Sequence, residues 1–118
     1  MAAAAFLQDV MQQPKNDYMR AAAIQSFEVS FELSWKYLQQ WFRVQGLDLN
    51  SPREVIRQAF QANLIEDGAE WLRFADTRNL TTNTYRQQLA DEVYDIVKSS
   101  FVSELAKLIE TTNPNKIT

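Results

Sequence analysis

Between Asp17 and Gln45 apolar residues recur every three or four positions with no proline or glycine among them, and Gly46 follows. That spacing predicts a long amphipathic helix with a glycine stop. At about 100° per residue its apolar residues fall on two opposed sides. Ile24, Phe27, Phe31, Trp35, Leu38 and Phe42 make one stripe, and Val29, Leu33, Tyr37, Trp41 and Val44 make the other. A helix in a small monomeric bundle needs one such face, so the second is expected to meet another chain or the connecting helices, with a homodimer as the simplest case. Ser26, Ser30 and Ser34 line one edge between the stripes and are small enough for close backbone approach. Glu28, Glu32, Lys36 and Arg43 line the other, which reads as a solvated face, with Glu32 and Lys36 spaced for a helical ion pair. Trp35, Lys36, Glu32, Tyr37 and Trp41 are the candidate interface residues on this helix.

The rest of the pattern is helical as well. Residues 2 to 13 suit a short helix, rich in alanine and ended by Pro14. Ser51, Pro52 and Glu54 supply a hydroxyl cap, a first-turn proline and an acidic third position, so a helix is expected from about Pro52 to Ala62. Asp67 and Gly68 open a further short helix carrying Trp71, Leu72 and Phe74. A final helix is expected from Thr81 or Thr82 to about Glu110, with Leu89, Val93, Ile96, Val97, Phe101, Leu105 and Leu108 as its apolar stripe. The fold class that follows is all-α, two long helices linked by shorter ones, as one domain over residues 1–111 with a polar tail at 112–118.

Composition narrows this picture. With 118 residues, 46% hydrophobic, the chain has enough apolar material for one core, and two glycines and three prolines are too few for an all-β design. A net charge of −3 argues against general nucleic-acid binding, which would rest on clustered Lys and Arg. The N-terminal MAAAAFLQDVM has no basic residue ahead of its short apolar run, and no window is long enough to span a membrane, so a cytoplasmic location is expected. The absence of histidine and cysteine removes imidazole acid/base chemistry, thiol nucleophiles and the usual zinc ligands; no cofactor or metal site is expected.

Candidate chemistry concentrates in Arg78 to Tyr85, RNLTTNTY. Read as a helix start, this stretch offers unpaired backbone N–H groups and a partial positive charge for a phosphate or nucleotide. Arg78 would take a phosphate or carboxylate, Asn79, Thr82 and Asn83 would supply hydrogen bonds, and Tyr85 a phenol. Arg53, one turn from Arg57, is a further candidate for nucleotide contact, with a solvated pair as the alternative reading. Each residue also has a structural reading: Arg78 pairing with an acid, Asn79 shaping a turn, Thr82 and Asn83 capping a helix, Tyr85 joining an apolar stripe.

The words IQSFEVSFELSWKYL (24–38), SPREVIRQAFQANLI (51–65), EWL (70–72) and RNLTTNTY (78–85) stand in the order found in the nucleotidyltransferase substrate-binding protein family, a branch of the HEPN superfamily, which the chain resembles. The resemblance covers about two thirds of the chain and implies a four-helix up-and-down bundle that forms homodimers and associates with a separately encoded minimal nucleotidyltransferase. In such pairs, which look like toxin–antitoxin modules, the partner holds the nucleoside triphosphate and this subunit the acceptor. RNA-cutting relatives carry Arg-x4-His-x-Tyr, and the equivalent positions here are Arg78, Asn83 and Tyr85. Asn83 cannot take a proton from a ribose hydroxyl near neutral pH, so the expected role is recognition and not RNA cleavage. Tyr85 aligns with the tyrosine that related nucleotidyltransferases modify with AMP, which makes it a candidate acceptor. A third reading keeps the helical dimer but leaves its binding site without function.

Overall fold

The computed structural model describes residues 2–12, 16–81 and 87–112. The described residues are all-α, in the order α1 (Ala2–Met11), α2 (Asp17–Val44), α3 (Pro52–Gln61), α4 (Gly68–Thr81), α5 (Gln87–Ile96), a π-helical turn (Val97–Phe101) and α6 (Val102–Thr111). The last three follow one another directly as a single rod. Among the described residues no helix is long and apolar enough to cross a membrane.

Local chemistry explains the boundaries. Asn16 opens α2 by accepting from the Met19 amide at 2.8 Å. At its other end Gly46 takes φ +89°, which lets the Gly46 and Leu47 amides reach the Arg43 and Phe42 carbonyls at 2.9 and 3.0 Å. Ser51 caps α3 by accepting from the Glu54 amide at 3.2 Å, while Glu54 accepts from the Asn50 amide at 2.8 Å. Asp67 caps α4 through the Glu70 amide at 3.0 Å. The fourth helix is 14 residues long and not a short link, because nothing after Asp67 breaks it before Thr81.

Five aromatic rings make the centre of the core. Phe27 and Phe31 come from α2, Trp71 and Phe74 from α4, and Phe101 from the π turn, and all are buried. Phe101 meets Phe27, Phe74 and Trp71 edge-on at 4.8, 5.1 and 5.9 Å between centroids. The π turn serves this contact. Val93, Val97, Phe101 and Leu105 are four apart, a spacing that drifts about 40° per step on a regular α-helix, and one wider turn takes up the drift so that all stay buried.

The serine edge of α2 also follows its expected use. Ser26, Ser30 and Ser34 are buried where α1 lies against α2, and Ser30 Oγ approaches the Ala3 carbonyl at 3.5 Å. The second apolar stripe behaves differently from the first. Val29, Leu33, Tyr37 and Val44 stay 46–77% exposed, so the connecting helices do not cover them, whereas Trp41 is half-buried edge-on to Phe42 at 5.2 Å. Thr112, the first residue of the expected tail, is buried and bonded to the Leu108 carbonyl at 2.9 Å.

Glu70 ties α4 to the π turn. It accepts from Arg73 Nε at 2.5 Å and from Ser100 Oγ at 2.5 Å, and these donors, Arg73 first, hold its pKa below the ordinary carboxylate value. A depressed pKa stabilises the fold above the unfolded value of about 4.3 and is lost as pH falls through the folded value. Glu70→Gln is therefore expected to lower the melting temperature at neutral pH and to narrow its difference from wild type as the pH drops toward about 3, in melts followed by circular dichroism. A difference independent of pH would contradict this role.

Candidate functional site

The structure turns one expectation around. Arg78, Asn79, Leu80 and Thr81 are the last turn of α4, so they sit at a helix C-terminus and not at a start. The local dipole is negative there, which suits a cation in the last turn, while the expected N–H groups of Thr82 to Tyr85 lie outside the described residues. The misplaced boundary has a simple cause: Thr81 and Thr82 look like N-caps, but Thr81 Oγ1 instead lies 2.8 Å from the Arg78 carbonyl of its own helix.

Arg78 reaches across to α2. Its Nη1 lies 2.8 Å from Glu28 Oε2, and its Nε lies 3.6 Å from Glu32 Oε1. Glu28 and Glu32 are one helical turn apart, so both face the same neighbour. Thr81 completes the group: its Oγ1 accepts from Arg78 Nη1 at 3.3 Å and stands 3.1 Å from Glu28 Oε2, with its one hydroxyl proton available to that carboxylate or to the Arg78 carbonyl. Glu32 also accepts from Trp35 Nε1 at 3.1 Å to Oε2 and is ion-paired with Lys36, whose Nζ lies 3.8 Å away. The Arg78 side chain keeps 22% of its surface, so solvent still reaches it. Its Nε is nonetheless buried without a hydrogen bond, since 3.6 Å is too long for one.

The sequence-predicted residues divide accordingly. Arg78 and Asn79 share the last turn of α4, and Asn79 is exposed. Thr82, Asn83 and Tyr85 lie outside the described residues. Arg53 is elsewhere: its Nη1 pairs with Asp76 Oδ1 at 2.6 Å, and Asp76 is two residues from Arg78, on the far side of α4. Among the interface candidates, Glu32, Trp35 and Lys36 belong to the Arg78 group, while Tyr37 is on the exposed stripe and its hydroxyl approaches the Thr112 carbonyl at 3.5 Å. Sequence reading missed Glu28 and Thr81 as members of the group. The available signal is two carboxylates at i and i+4 beside an apolar stripe, a pattern that describes solvated charge equally well.

Chemically the group is a set of paired charges. Two carboxylates face one guanidinium and one ammonium, so it is close to neutral as it stands. The chain has no histidine to act as a base near pH 7.

This helical architecture belongs to a known class. The family model described as "Nucleotidyltransferase substrate binding protein like" matches residues 1–113. The chain is a member of that nucleotidyltransferase substrate-binding family, which is related to the HEPN ribonuclease HepT. It is 32% identical over 98 residues to a Haemophilus influenzae protein named probable ribonuclease HepT, covering 75% of this chain and 67% of the relative. The crystal structure of ttk003001694 from Thermus thermophilus superposes with a TM-score of 0.83 at 32% identity, over 92% of this chain and 94% of that one. HI0074 from Haemophilus influenzae, whose structure is described as the fold of a substrate binding domain of a nucleotidyltransferase, gives 0.81 at 28% identity over 93% of each chain.

Arg78→Ala would leave Glu28 and Glu32 facing each other with their main counter-charge gone. The expected cost is about 1–3 kcal/mol of unfolding free energy in urea denaturation, scaled to a partly exposed pair. An unchanged midpoint would show that the guanidinium does not hold α4 to α2.

Proposed function

We propose that this chain is a non-catalytic, substrate-binding or regulatory subunit of a two-component nucleotidyltransferase, working in the cytoplasm as a homodimer bound to a minimal nucleotidyltransferase. The observation that carries the reading is the pairing of family membership with a chain that has no histidine; on the motif resemblance, Asn83 would take the place of the base that RNA-cutting relatives use. The partner would supply the nucleotide chemistry, and this chain would present Arg78 and its neighbours to a nucleotide or acceptor. Tyr85 is the proposed AMP acceptor, which would make the pair an antitoxin/toxin-like module. The exposed stripe of Val29, Leu33, Tyr37 and Val44 supports a second polypeptide on α2, because apolar residues at this spacing are a helix-docking pattern.

A second reading, a HEPN-type ribonuclease toxin, is favoured by the relative named probable ribonuclease HepT. It asks an amide at position 83 to replace an imidazole, and the carboxylates described beside Arg78 are already engaged in holding it.

Co-expression with a minimal nucleotidyltransferase from the same genome separates the readings. The expected outcome is capture of that enzyme by the tagged chain, a mass increase of one or more AMP groups that Tyr85→Phe removes, and no cleavage of total RNA by the purified chain. RNA cleavage abolished by Arg78→Ala, with no capture of the enzyme, would overturn the non-catalytic assignment.

A further inference from the structure

The carboxylate of Glu28 takes the contacts that a phosphate would use. It stands 2.8 Å from Arg78 Nη1 and 3.1 Å from Thr81 Oγ1, a cation and a hydroxyl on one turn of α4. Glu32 is less free to move, since Trp35, Lys36 and the Arg78 Nε edge all converge on it. Glu28 is held by the two α4 groups alone among the described residues, and its side chain keeps 28% of its surface. The two carboxylates therefore differ: Glu32 is held by neighbours on its own helix and lies 3.6 Å from the guanidinium, whereas Glu28 takes the 2.8 Å contact at its Nη1 edge.

We propose that Glu28 is a specificity-determining residue, a built-in competitor that an incoming phosphate must displace from Arg78 and Thr81. The exchange sets a threshold. A singly charged carboxylate ligand gains nothing by replacing Glu28, because it offers the same charge to the same donors. A phosphate or pyrophosphate brings more negative charge and more acceptor oxygens to Arg78, and it inherits the Thr81 hydroxyl that Glu28 releases. Glu32 remains as a negative neighbour partly compensated by Lys36, which keeps the affinity of the unmodified site low. This inference rests on the reading that Arg78 faces an anion, and it adds what regulates access to it.

The test is titration of the full chain with inorganic pyrophosphate, and separately with acetate, by isothermal calorimetry. Wild type should bind pyrophosphate weakly and acetate not at all. Glu28→Gln keeps the shape and removes the charge, and it should bind pyrophosphate at least about tenfold more tightly. Adding Arg78→Ala or Thr81→Val to that variant should abolish the gain. Glu28→Asp, which keeps the charge but withdraws it by one methylene, should show a smaller gain and serves if Glu28→Gln does not fold. Pyrophosphate binding that is unchanged or weakened in both Glu28 variants would overturn the proposal, and so would a gain that survives loss of Arg78. Capture of the nucleotidyltransferase, measured on the same variants, keeps the two ideas apart: capture without any gain in binding sinks only the competitor role, and a gain without capture sinks only the subunit assignment.

Discussion

One guanidinium fixes the end of α4 against the middle of α2. Arg78 does this with a geometry that apolar packing cannot copy, because the Phe and Trp rings beneath it hold the two helices together without dictating which turn lies beside which. Its contribution to stability is modest, since the pair is partly exposed, but its contribution to register is specific. The aromatic centre and the π turn give the bundle its cohesion, and the ion pair decides where the RNLT turn sits. The guanidinium is thus already paired with carboxylates of α2.

The same helix carries both consequences of that arrangement. Glu28 and Glu32 precede Val29 and Leu33 by one residue, so the carboxylates that hold Arg78 run along the border of the exposed apolar stripe. Anything docked on the stripe would lie next to the Arg78 group, and a change at one would be felt at the other through a single rigid helix. Buried serines on the opposite edge let α1 close in, which leaves the stripe as the side of α2 that remains available.

Much of the fold was legible in the residues themselves. Gly46, Ser51 and Asp67 carry capping chemistry that acts locally, and each marks a boundary where the structure has one. The buried stripe of α2 follows from its period, and Phe27, Phe31, Leu38 and Phe42 are buried as that period requires. The α4 terminus was not legible, because Thr81 and Thr82 are equally good as cap residues of a following helix and only the tertiary pairing of Arg78 with Glu28 shows which side Thr81 serves. The π turn was hidden for a related reason: a four-residue apolar spacing is tolerated by a regular helix over short runs, and the wider turn is chosen by what Phe101 must reach. The site was half legible. Arg78 stood out as a lone cation among amides and hydroxyls, but its carboxylate partners lie some fifty residues earlier, and no local rule connects them.

The claim on which the account turns is that Arg78 and Glu28 act as a unit. A double-mutant cycle on Glu28→Ala and Arg78→Ala, read by urea denaturation in low salt, measures that directly. A coupling energy of about 1 kcal/mol or more, shrinking as salt is added, is the predicted result for a partly buried ion pair. Additive effects of the two substitutions would mean that the residues are neighbours without interaction, and both the placement of the RNLT turn and the guarded state of its arginine would lose their basis.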